Sequence, residues 1–151
     1  MLVSIITPSF NQGLFIEKTI LSVKNQRFKN LEHIIFDNNS EDKTKDILKK
    51  YKKFINYTIE QDNGQSHAIN KGFKKAKGDI IGWLNSDDIY HPNAVKQIVD
   101  YFNKNPNVVV CHVKDGMLDF IPRHKYFFKK YNLSFINIFK IRIIKPSKFR
   151  N

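Results

Sequence analysis

The chain has 151 residues, 41% of them hydrophobic, enough to bury a core, and this excludes a disordered segment. Its formal charge of +12, from 26 Lys and Arg against 14 Asp and Glu, suits a nucleic acid, an anionic membrane or a phosphate-rich substrate as partner. A single cysteine, Cys111, excludes an internal disulfide and a cysteine-based metal site. No apolar run approaches the ~20 residues that cross a bilayer, and the N-terminus lacks a basic leader and cleavage site, so a cytoplasmic location is expected.

From residue 2 to residue 113, short β-rich runs alternate with stretches of 3.6-residue period, the pattern of βαβ units around a mostly parallel sheet. The first strand is predicted over 2–6 and its helix over 15–25, with Phe15, Ile16, Ile20, Leu21 and Val23 on the buried side. The second strand, 32–36, leads to a helix that begins at Ser40 and turns Ile47, Leu48 and Tyr51 inward. A third strand over 54–59 precedes a helix over 65–75. The fourth strand, 80–84, is the apolar run with Ile80, Ile81, Trp83 and Leu84; its helix covers 94–103, and a fifth strand is predicted over 108–113.

Each strand runs into a polar loop: TPSFNQG, DNNSEDKT, EQDNGQS and NSDD. In an open parallel sheet these loops emerge at one edge, where ligands bind at the reversal of strand order. Asp37, Glu60, Asp62, Asp87 and Asp88 are therefore expected to converge. Adjacent Asp87 and Asp88 repel each other, which suits a site for a hard cation such as Mg²⁺ or Mn²⁺ that shares its sphere with substrate phosphates. The alternative is that they cap the helix after Pro92.

The six glycines form neither a P-loop nor a G-x-G-x-x-G fingerprint, so a metal, assisted by Lys71, is expected to neutralise a diphosphate. No G-x-S-x-G nucleophile elbow is present. His33 and His112 read as structural, and His67 and His91 lie near the loops without metal-ligand spacing.

Four segments in order, VSIITPSFNQGLFIEKTILSVKNQ, HIIFDNNSEDKT, EQDNGQSHAINKGFKKAKGD and IIGWLNSDDIYHP, resemble the nucleotide-binding half of GT-A-fold glycosyltransferases of family 2. The resemblance covers about residues 1 to 110. It implies that Thr7, Pro8, Ser9 and Asn11 cradle the base and ribose and that Asp37 helps bind the nucleoside. Asn38 stands where uracil-binding relatives often carry a second acid. It further implies that Asp62 lies near the base, that Asn70 and Lys71 lie beside the donor, that Asp87 contacts ribose or donor sugar, and that Asp88 binds the metal.

The implied reaction is metal-dependent transfer of a sugar from a nucleoside diphosphate, a UDP-sugar for preference, to a hydroxyl of a glycan, lipid-linked or protein acceptor, with inversion. The family's general base is a carboxylate well after the acidic pair, and the chain is expected to stop short of it; Asp115 and Asp119, read as part of a loop, are the only later acids. On this reading residues 1–113 form the nucleotide-sugar-binding α/β domain and 114–151 begin an acceptor-side region. A chain that binds donor without transferring sugar is the alternative within the family. After Asp119 no acids occur, and the basic, aromatic stretch over 125–150 is expected to touch the inner face of the membrane or to pack on an acceptor subdomain. A nucleic-acid-binding protein would account for the charge but not for acids gathered at a sheet edge.

Overall fold

The structure, a computed structural model, describes residues 1–105 in full and, beyond them, the backbone of three strands. In chain order the elements are β1 (Val3–Ser9), α1 (Ile16–Lys24), β2 (Leu31–Asp37), α2 (Thr44–Lys50), β3 (Asn56–Ile59), α3 (Gln65–Lys75), β4 (Ile80–Trp83), α4 (Ala94–Lys104), β5 (Val110–Lys114), β6 (Met117–Phe120) and β7 (Arg142–Ile144). They build one sheet in the order β3-β2-β1-β4-β7-β5-β6. The first four strands are mutually parallel, as expected for a GT-A-type α/β fold, while β7 runs antiparallel to both β4 and β5. Strand order reverses between β1 and β4, which makes their C-terminal ends the place for a ligand.

Both faces of the sheet are covered, so β1 is buried along its whole length and reads as a continuous run rather than an alternation. On one face α1 contributes Ile16, Thr19, Ile20 and Val23, an i, i+3, i+4, i+7 stripe. Val23 packs with Ile5, Ile80, Leu84, Val95, Ile98 and Phe102, and Ile16 and Ile20 pack with Ile35, Leu48, Tyr51 and Ile55. Ala68 of α3 packs with Ile34 and Phe36 on the other face. A Cβ at Gly72 of α3 would collide with the Ile6 side chain, so glycine is what lets α3 approach β1.

Several boundaries differ from the sequence expectation. β1 extends through Thr7 and Pro8 to Ser9 instead of ending at Ile6. Proline is tolerated there because Leu84 N–H already donates to the Ile6 carbonyl at 3.0 Å, and pairing with β4 ends at Ile6 opposite Trp83. Ile6 and Pro8 face the β4 side, so the missing N–H of Pro8 falls where the ladder has stopped. Phe15 is half exposed rather than buried, Leu21 is partly buried against the core, and Thr19 joins the fully buried stripe. α2 starts at Thr44, not Ser40, because the Ser40 side chain and N–H are both engaged by Asp37. Phe54 precedes β3 and is exposed. Asp119 lies in strand β6 and not in a loop. Asp115 and most of the basic stretch over 125–150 lie outside the described residues. Among the described residues no helix is long and apolar enough to cross a membrane.

Candidate functional site

Where β1 and β4 part, a cleft of about 660 Å³ opens, in the size range of small-molecule sites. Pro8, Ser9, Phe10 and Gln12 line it from the end of β1, Asn38 from β2, Asp62, Gly64, Gln65 and Ala68 from the start of α3, and Asn85, Ser86, Asp87 and Asp88 from the loop after β4. The parallel topology thus brings three of the five predicted acids, Asp62, Asp87 and Asp88, to one cavity. Asp37, Glu60, Thr7, Asn11, Asn70 and Lys71 are not among its lining residues.

Their placement explains why. Thr7 is buried with its Oγ1 at 2.9 Å from His33 Nε2. Asp37 is 1% exposed, and its two oxygens accept from Ser40 N–H at 2.8 Å and Ser40 Oγ–H at 2.6 Å. Ser40 Oγ in turn accepts from Asn11 N–H at 2.7 Å, and Asn11 Oδ1 accepts from Glu41 N–H at 2.9 Å. Asn11 has φ 53, a left-handed conformation that asparagine tolerates. These contacts, with Gly13 N–H donating to Asp42 Oδ2 at 2.7 Å, bind the first two loops into one unit.

The turn before α3 is built the same way. Asn38 Oδ1 accepts from Asp62 N–H at 2.8 Å, which ties the second loop to the third. Asp62 Oδ1 accepts from Gly64 N–H at 2.7 Å, and Gly64 sits at φ 98, where a side chain would be strained. His67 Nδ1 accepts from Asn63 N–H at 3.0 Å, which gives that histidine a place in the turn. Lys71 reaches away from the cleft to Glu60 at 2.7 Å, and this hydrogen bond holds the Glu60 carboxyl below its usual range.

The acidic loop depends on residues that the sequence reading passed over. Asn85 Oδ1 accepts from Trp83 Nε1–H and Gln65 Nε2–H, each at 3.0 Å, so its amide is oriented with Nδ2 donating to Asp88 Oδ2 at 3.1 Å. Below the loop, Thr19 Oγ1 lies 2.8 Å from the carbonyl oxygens of both Ser86 and Asp88. Ser22 Oγ accepts from Tyr90 N–H at 3.1 Å; Gln26, 4% exposed, donates to the His91 carbonyl at 2.9 Å and accepts from Val95 N–H at 3.1 Å. Positions 19, 22 and 26 are polar on an otherwise apolar helical face, and that break in periodicity is the signal that marks them. The cap reading of the acids is not what the backbone shows: α4 starts at Ala94, and its N-cap is Asn93 at φ 64.

Burial and the charge of Asp87 hold the Asp88 carboxyl above the ordinary aspartate range, against the opposite pull of the Asn85 amide. Asp87 and Asp88 are both exposed, and no described group of three or more His, Cys, Asp or Glu forms a closed cation cage. This donor set fits a hard divalent cation that keeps waters and completes its sphere with a ligand's oxygens, because one Asp88 oxygen has no donor among the described residues. Such an ion would also relieve the repulsion that raises Asp88.

Comparison with known proteins adds four findings. The family model described as Glycosyl transferase family 2 matches residues 4–149. An uncharacterized glycosyltransferase of Rickettsia typhi is 37% identical over 111 residues, covering 72% of this chain and 35% of that protein. The poly(ribitol-phosphate) beta-N-acetylglucosaminyltransferase TarP of Staphylococcus aureus is 29% identical over 98% of this chain, which spans 51% of that protein. The crystal structure of S. aureus TarS 1-349 in complex with UDP-GlcNAc superposes with a TM-score of 0.66 at 25% identity, covering 73% of this chain and 33% of that one.

Proposed function

From the premise that this chain belongs to glycosyl transferase family 2, we propose that its cleft binds a nucleoside-diphosphate sugar, of the UDP class, for transfer to an acceptor hydroxyl with inversion. The observation that carries the reading is the charge of the cleft. In a chain of net charge +12, its described lining holds three carboxylates and no Lys, Arg or His. A bare diphosphate would be repelled from such a wall, whereas a diphosphate accompanied by a divalent cation would be attracted.

Asp88 would hold that cation, Mn²⁺ or Mg²⁺, which when bound supplies Lewis-acid stabilisation of the leaving diphosphate. Asp87, next to it on the same rim, would orient the ribose or donor sugar by accepting its hydroxyl protons. Phe10 and Pro8 offer apolar wall to the base, and Asn38, Asp62 and Gln65 offer polar edges that can read it. Asp37 acts at one remove, by locking the loop that carries Asn11 through Ser40. Lys71, paired with Glu60, would have to leave that partner to reach a phosphate.

UDP support comes from the solved TarS complex with UDP-GlcNAc, and a hydroxyl-rich acceptor is in keeping with the polymer named for TarP. The test is a thermal-shift screen of UDP, GDP and dTDP, each with Mn²⁺. UDP should give the largest rise in melting temperature, since bound ligand stabilises by about 2.7 kcal/mol at a hundredfold excess over Kd. A larger rise with GDP or dTDP would overturn the base assignment, and no rise with any of them would overturn the donor site.

A further inference from the structure

At the end of the sheet opposite the cleft, the C-terminal end of α1 and the turn after α2 meet over the start of β2. Between them lies a crevice of about 160 Å³ of mixed lining, with the side chains of Ile20, Val23, Leu31, Ile55, Phe28 and Phe54 beside the polar groups of Lys24 and His33. A cavity of roughly this size takes one benzene-sized apolar group. Phe54 is 55% exposed, and Lys24 Nζ lies 3.9 Å from its ring centroid. His33 completes the lining; it is 3% exposed and its Nδ1 has no hydrogen-bond partner among the described residues.

The two segments that frame the crevice, 24–29 and 49–53, contain no acid. Lys49 and Lys50 are engaged by Asp46 and Glu17. Lys24, Arg27, Lys29, Lys52 and Lys53 are exposed and have no ion pair among the described residues. Four of these five are lysines, flexible point charges rather than the planar forks that fix a single carboxylate or phosphate. Diffuse cations around an exposed aromatic ring match a surface that is anionic, laterally mobile and apolar just beneath.

We propose that this crevice and its lysine rim form a docking surface for an anionic lipid bilayer, with acyl-chain carbons entering between Phe28 and Phe54. This face lies away from the nucleotide cleft: β1 and β2, at seven residues each, separate the two ends by roughly 20 Å. Docking there leaves the cleft open to solvent and does not depend on what the cleft binds.

The experiment is flotation of the full chain with phosphatidylcholine vesicles, with and without phosphatidylglycerol, at low and high salt. The chain should float only with phosphatidylglycerol. Lys52→Gln with Lys53→Gln should weaken binding about thirtyfold, the effect of two well-placed cations. Phe54→Ser should remove the fraction that resists high salt, and exposed Phe54 and both lysines can change without loss of melting temperature. Failure to float would overturn the proposal. So would flotation unchanged in these variants, which would move the contact to the basic stretch over 125–150, or equal affinity for polyglutamate or double-stranded DNA.

Discussion

Asp37 ends one parallel strand of the sheet and Asp88 follows another, yet their surroundings give them different work. Asp37 is sealed in, with both oxygens taken by Ser40, and its charge organises backbone. Asp88 keeps an oxygen at the cleft without a donor among the described residues, and partial burial followed by the charge of Asp87 destabilises its anion. His33 is the buried counterpart on the other side of Thr7: burial pushes its imidazole down from 6.5 to about 3, so it stays neutral in the folded chain. The unfolded imidazole takes up a proton below about 6.5 while the folded one does not, so the unfolded state binds more protons in that window. Stability is therefore full above pH 6.5 and is lost as pH falls toward about 3, at up to roughly 1.4 kcal/mol per pH unit from this group. Urea unfolding across that range should show the slope, and His33→Gln should flatten it; an unchanged slope would mean other groups carry the acid sensitivity.

At the scale of elements, α1 is a support for the acidic loop as much as a cover for the sheet. Gln26, itself 4% exposed and just past the end of α1, bridges the Ser22 and His91 carbonyls and the Val95 N–H. Gln26→Ala should cost about 2 to 4 kcal/mol, the penalty for leaving such groups unpaired. It should also weaken cation binding at Asp88, measured by Mn²⁺ titration under conditions where the variant is folded. Unchanged Mn²⁺ affinity would show that the loop holds its shape without Gln26. Gly72→Ala should destabilise by about 1 to 3 kcal/mol through overpacking against Ile6, despite alanine's better helix propensity, and a neutral or stabilising outcome would place α3 farther from β1.

The alternation of strands and helices was readable because period and length separate the two, and it was enough to bring Asp62, Asp87 and Asp88 to one edge. Strand ends were not readable, since β1 ends where its partners end and a proline at position 8 looks like a loop until β4 is known to stop at Trp83. Lys71 shows a further limit: a lysine beside a phosphate-binding motif and a lysine paired with Glu60 read alike in one dimension. Asn85 was passed over because its importance lies in partners, Trp83 and Gln65, that only the fold assembles.

For the whole molecule, the decisive contrast is between a strongly basic chain and an acidic cleft. The charge excess lies elsewhere, including the lysine rim at the opposite end of the sheet, so under the proposed function a diphosphate would be drawn to the cleft by a cation at Asp88. Calorimetric titration of UDP into the wild-type chain and into Asp88→Asn, each with Mn²⁺ and with EDTA, addresses that claim most directly. The account predicts at least about tenfold tighter UDP binding with Mn²⁺ than with EDTA in the wild type, a difference of roughly 1.4 kcal/mol, and no such difference in Asp88→Asn. Equal wild-type affinity in Mn²⁺ and EDTA would contradict it.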